Sequence, residues 1–149
     1  VGLARLGLTL LEETNTSEAV AECAGRWPVS CAQHLRPMPL AFEGMELGRF
    51  AIEHGLQDRI GLMDVSDGLA RDLPRLLNSR KSGLGTDIRL TDEMLHPEIR
   101  LYCEQNGMDA ALFAFKGGED YALAGTCPAG PRSKRGWRSS PFRRSASVP

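Results

Sequence analysis

Two short stretches of this sequence concentrate groups able to handle a phosphate. The first, Met63-Asp64-Val65-Ser66-Asp67-Gly68-Leu69, sets two carboxylates and a hydroxyl where an apolar run gives way to a helix signal. A helix start offers free N–H groups and the positive end of its dipole, both suited to an anion. Bare carboxylates would repel that anion. A magnesium ion reconciles the two, because it takes oxygen ligands and bridges carboxylate to phosphate. Asp64 and Asp67 are therefore candidate metal ligands, with Asp67 the candidate catalytic carboxylate, and Ser66 is a candidate donor to a phosphate oxygen. The same residues allow a plainer account, in which Ser66 or Asp67 caps the helix and Asp67-Gly68 makes a turn.

The second stretch is Lys116-Gly117-Gly118-Glu119-Asp120-Tyr121. Paired glycines before a strand let the backbone come close to a ligand or adopt positive φ. Glu119 could then face a cationic or hydroxylated substrate. An ordinary glycine turn with solvated acids is the alternative.

The elements that must position these stretches are readable from periodicity. Leu3, Leu6, Leu10 and Leu11 recur at helical spacing from Val1 to Glu13, and the polar residues Thr14 to Ser17 break the pattern. His34 to Pro39 carries two prolines, which favours an extended connection. Leu40 to Gly55 reads as a helix closed by Gly55, and Ile60 to Val65 as a short buried strand. Leu69, Leu73, Leu76 and Leu77 then form one apolar stripe on a helix that Pro74 should kink. Thr86 to Leu90 reads as a strand, Pro97 to Asn106 as a helix, Ala110 to Phe115 as a short apolar element and Tyr121 to Thr126 as a closing strand. Helices alternating with short strands predict an α/β layer fold, a mixed sheet with helices packed on it.

Composition fits one domain: 149 residues, 42% of them apolar, 25% charged and a mean hydropathy of -0.26. The most apolar stretch, Val1 to Leu11, is too short to span a membrane and contains Arg5, so a cytoplasmic location is the default expectation. Cys23, Cys31, Cys103 and Cys127 make no metal-binding spacing with the histidines and read as reduced, mostly buried thiols. The net charge of -1 conceals an asymmetry. Every acidic residue precedes Gly130, whereas Arg132, Lys134, Arg135, Arg138, Arg143 and Arg144 follow it. The tail 130–149 has the bias of an unstructured segment. Nucleic-acid binding by that tail is disfavoured by the acidic body. The opening residue is Val and the first stretch reads as the inside of an element, so a missing front is expected.

Taken together, D-V-S-D-G-L-A-R-D-L and, some fifty residues later, G-G-E-D-Y-A-L resemble the thiamine-monophosphate kinase family, as does His34-Leu35-Arg36-Pro37 before them. The similarity runs over roughly Gly2 to Pro128. It implies the superfamily of aminoimidazole ribonucleotide synthetase, with residues 1–129 as a partial C-terminal domain and 130–149 as a basic tail for which a frameshift is the leading explanation. The implied activity is ATP-dependent phosphorylation of thiamine phosphate to thiamine diphosphate, by in-line attack on the γ-phosphate. In that family the carboxylates matching Asp64 and Asp67 bind Mg²⁺, the serine matching Ser66 contacts ATP, and the glutamate matching Glu119 contacts thiamine phosphate. Intact members are expected to be homodimers. The chain departs from the pattern in lacking the G-D-D-type aspartate loops, the nucleotide-contacting arginine and the later aromatic residue of the substrate site. Little or no activity by itself is the consequence. The alternatives are a non-catalytic metal- and phosphate-binding piece that needs a partner chain, or another enzyme of the superfamily.

Overall fold

The computed structural model describes residues 1–78, 83 and 85–128; the tail expected at 130–149 lies outside them. In chain order the elements are α1 (Leu3–Glu12), α2 (Ser17–Arg26), α3 (Pro28–Leu35), α4 (Ala41–Glu53), β1 (Gly61–Val65), α5 (Leu69–Asn78), a 3-10 turn (Asp92–Met94), α6 (Pro97–Gln105), α7 (Ala110–Lys116) and β2 (Ala122–Thr126). The fold is α/β and helix-rich. Its sheet is a two-stranded antiparallel pair, with Val65 opposite Ala122 and Gly61 opposite Thr126, and α5 packs against both strands. Among the described residues no helix is long and apolar enough to cross a membrane.

The main core lies between helices. Leu6 of α1, Cys31 of α3, Ile99 and Cys103 of α6 and Ala114 of α7 are buried together with Trp27 and Leu95. Tyr102 bridges Trp27 and Phe113 with ring centroids 6.1 and 5.9 Å away. Gly7 allows α1 and α3 to cross closely, since a Cβ there would stand 2.2 Å from the Ser30 carbonyl oxygen.

Long-range carboxylates close two helix starts. Glu98, on α6, accepts from the N–H groups of Val29 and Ser30 at 3.0 and 2.8 Å, and from the Ser30 hydroxyl at 2.5 Å. Asp120, just before β2, accepts from the N–H groups of Gly2 and Ala4 at the start of α1. Each anion satisfies orphan donors and faces the positive end of a helix dipole. The α4 terminus is closed by its own backbone instead. Gly55, at φ 63°, donates to the Ile52 carbonyl and Leu56 to the Ala51 carbonyl, the pairing of a left-handed glycine cap.

Several sequence expectations need correction. Thr86 to Leu90 has no regular secondary structure and is mostly exposed. An alternating segment becomes a strand only when a partner takes its hydrogen bonds, and among the described residues the sheet has no third strand. His34 and Leu35 belong to α3 rather than to the extended connection, which starts at Arg36. Pro28 stands at the first position of α3, and Pro37 holds the preceding residue, Arg36, at φ -143°, outside the helical range.

The buried thiols make stability pH-dependent. Cys31 lies 3.8 Å from Cys23, sulfur to sulfur. Burial, with added effects of the Cys23 thiol and the Glu98 charge, pushes Cys31 from 9.0 up to about 11. Below pH 9 both folded and unfolded chains keep the proton and the fold keeps its full stability. Between about pH 9 and 11 the unfolded chain ionises first, so stability falls as pH rises. The melting temperature is expected to drop across that window and to drop less steeply in Cys31→Ala. Cys103 and Tyr102, also raised chiefly by burial, act in the same direction. An identical slope in the variant would exclude Cys31 as a contributor.

Candidate functional site

The two stretches singled out above meet back to back. Leaving β1, the chain turns through Ser66 and Asp67 to Gly68 and enters α5; leaving α7, it runs through Gly117 and Gly118 to Glu119 and into β2. The Glu119 N–H donates to the Ser66 carbonyl at 2.8 Å and the Tyr121 N–H to the Val65 carbonyl at 3.1 Å, continuing the β1–β2 pairing. Their glycines make the contact possible. A Cβ on Gly68 would stand 2.7 Å from the Gly117 carbonyl oxygen, and one on Gly118 would stand 2.7 Å from that of Ser66. Glu119 and Tyr121 have φ of 63° and 48°, a left-handed conformation costly for residues with a Cβ. Several contacts hold it there: the two backbone bonds, the Asp120 carboxylate on α1, and the Gln33 side-chain amide on the Asp120 carbonyl at 3.1 Å.

Between the joined loops opens a cavity of about 540 Å³, lined by Arg5, Leu8, Ser66, Asp67, Ala70, Arg71, Lys116, Gly118 and Glu119. Ser66, Asp67 and Glu119, three of the four expected site residues, thus share one cleft. Asp64 is not among the lining residues; it is exposed on β1, opposite Leu123 in the strand register.

The carboxylates at the cleft are differently occupied. Asp67 is bound by the Arg75 guanidinium at 2.5 Å, and Arg75 also reaches the buried Asp72 at 3.0 Å. Asp72 turns back to accept from the Asp67 N–H at 2.8 Å, so this carboxylate rather than a serine orders the entry to α5. The Asp67 hydrogen bond and charge, joined by Asp72, hold Arg75 above its already high ordinary pKa. Glu119 is 55% exposed, and its Oε2 stands 3.4 Å from His34 Nδ1, a buried nitrogen that makes no hydrogen bond among the described residues.

These positions test the expected metal. Among the described residues no three His, Cys, Asp or Glu side chains are grouped to hold an ion. Asp64 and Asp67 do not share the cleft, and Asp67 already has a cationic partner. The described residues do not by themselves form a magnesium centre.

Sequence reasoning missed the cations. Arg5 interrupts the first apolar run and had served only to argue against a membrane span, and Arg71 falls in the first turn of α5. Both look like solvated charges until the fold brings α1, α5 and the end of α7 to one place. His34 was legible only as part of a four-residue resemblance.

No family model matches the chain. Thiamine-monophosphate kinase of Aquifex aeolicus (strain VF5) is 39% identical over 66 residues, which are 44% of this chain and 21% of that protein. The crystal structure of thiamine monophosphate kinase from Aquifex aeolicus matches 95% of this chain and 41% of its own, with a TM-score of 0.53 and 28% identity. The chain therefore spans less than half the length of either relative. In sequence and in fold the chain is similar to thiamine-monophosphate kinase, over part of that protein's length.

Proposed function

We propose that this chain supplies the cleft in which a thiamine-phosphate kinase brings thiamine phosphate and ATP together. The observation that carries the reading is the interlock of the two motif loops around one cavity, with Ser66, Asp67 and Glu119 on its wall. Ser66 is assigned the nucleotide phosphate, as donor from its hydroxyl. Glu119, a carboxylate on a rigid loop, is assigned the cationic ring of thiamine phosphate, with His34 behind it. Of Asp67 and Asp64, the carboxylates that the family resemblance gives to magnesium, only Asp67 lines the cleft, and the pair would need ligands from beyond the described residues to hold the ion. Transfers of this kind depend mainly on positioning and on electrostatic stabilisation of the moving phosphoryl group.

Calorimetric titration with thiamine phosphate tests the assignment, followed by chromatographic detection of thiamine diphosphate after incubation with ATP and Mg²⁺. Glu119→Gln is expected to weaken thiamine phosphate binding about tenfold, the loss of one charged contact, and to leave the melting temperature unchanged. Equal binding by the variant and the unmodified chain would remove Glu119 from the substrate site. Binding without transfer would favour the reading as a non-catalytic phosphate-binding chain that needs a partner chain.

A further inference from the structure

We infer that the cleft takes the phosphate of its ligand by direct contact with Arg5, Arg71 and Lys116, and that this binding needs no divalent ion as intermediary. The inference rests on the reading of the cleft as a phosphate site and concerns how that site recognises its anion.

Three cations line the cavity against two acids, Asp67 and Glu119, and Asp67 is already neutralised by Arg75 from outside the lining. A site that recruits phosphate through magnesium presents surplus carboxylate to the metal. This one presents surplus positive charge, which attracts a phosphate dianion directly and repels a hydrated divalent ion. The cations also come from three separate elements. Arg5 projects from α1, whose start Asp120 fixes, and its guanidinium carbon lies 5.8 Å from the centroid of the Phe113 ring. Arg71 belongs to the first turn of α5, where the helix dipole adds to its charge, and Lys116 ends α7. Arginine can grip phosphate oxygens in a forked pair while lysine contributes a compact point charge. The fitting ligand class is a phosphate monoester or diphosphate.

The test is titration of the whole chain with inorganic pyrophosphate in EDTA, then in Mg²⁺. Binding is expected in EDTA, to weaken with added salt, and to fall about tenfold in each of Arg71→Gln and Lys116→Gln, which keep most of the side-chain stem and leave the core untouched. Binding that appears only with Mg²⁺, no binding in either buffer, or indifference to both substitutions overturns the inference. The thiamine reading is separated by a parallel titration with thiamine phosphate in EDTA. Pyrophosphate bound while thiamine phosphate is not would sustain the cation site and reject the proposed substrate.

Discussion

Gly68→Ala is expected to destroy the cleft and to destabilise the fold by about 3 to 5 kcal/mol, the combined scale of a forced positive φ and an overpacked contact. Gly68 has φ 93°, and its added methyl would stand 2.7 Å from the Gly117 carbonyl oxygen and 2.9 Å from that of Lys116. Both obstacles are backbone, which cannot swing aside as a side-chain tip can. The loops would have to part, breaking the bonds from Glu119 to Ser66 and from Tyr121 to Val65 that hold the cavity wall. A fall in melting temperature of roughly 10 °C or more and loss of pyrophosphate binding are the readouts. Gly55→Ala is the control: φ there is 63°, but nothing lies within 4 Å of the new methyl. It should cost only about 1 to 2 kcal/mol, the left-handed penalty alone, and leave binding intact. Equal melting of the two variants would mean that the loops separate without penalty, and the interlock would lose its claim to shape the site.

What the sequence disclosed about this site was its local chemistry. An apolar run before Ser66-Asp67-Gly68, followed by leucines at helical spacing, announces strand, turn and helix because each signal lies within a few residues of the element it specifies. The paired glycines 117 and 118 likewise mark a place where a side chain will not fit, without saying what lies opposite. Opposite Gly118 lie Ser66 and Asp67, some fifty residues earlier, and opposite Gly117 lie Gly2 and Arg5, more than a hundred residues earlier; only the fold reveals either. Arg5 and Arg71 were illegible for the same reason, since their role depends on three elements converging. Asp64 and Asp67 look like a pair because they are three apart, yet Asp64 is still in the strand whereas Asp67 lies in the turn that follows it. The failed strand at Thr86 to Leu90 shows the complementary limit: pattern can state that a segment would suit a sheet, but not that a neighbour will be there.

Asp120 and Glu119 are adjacent acids in one motif, and their substitutions are expected to separate structure from binding. Asp120→Ala should lower stability by about 3 kcal/mol, because it leaves the buried N–H groups of Gly2 and Ala4 without their acceptor and removes an anion from the α1 start. The effect should not stay local. α1 carries Leu6 into the helical core and Arg5 and Leu8 into the cleft, so an α1 that frays from its first turn loosens one wall of the cavity. Pyrophosphate binding should therefore weaken together with the melting temperature, even though Asp120 is not among the lining residues. Asp120→Asn keeps one carbonyl oxygen for one of the two donors and should lose about half as much. Glu119→Gln, exposed and one residue away, should weaken thiamine phosphate binding without moving the melt. Thermal denaturation and titration of the three variants decide the matter: an Asp120→Ala protein that melts like the unmodified chain would mean that α1 docks without its cap. The placement of Arg5 at the cleft would then owe nothing to the acid that follows Glu119.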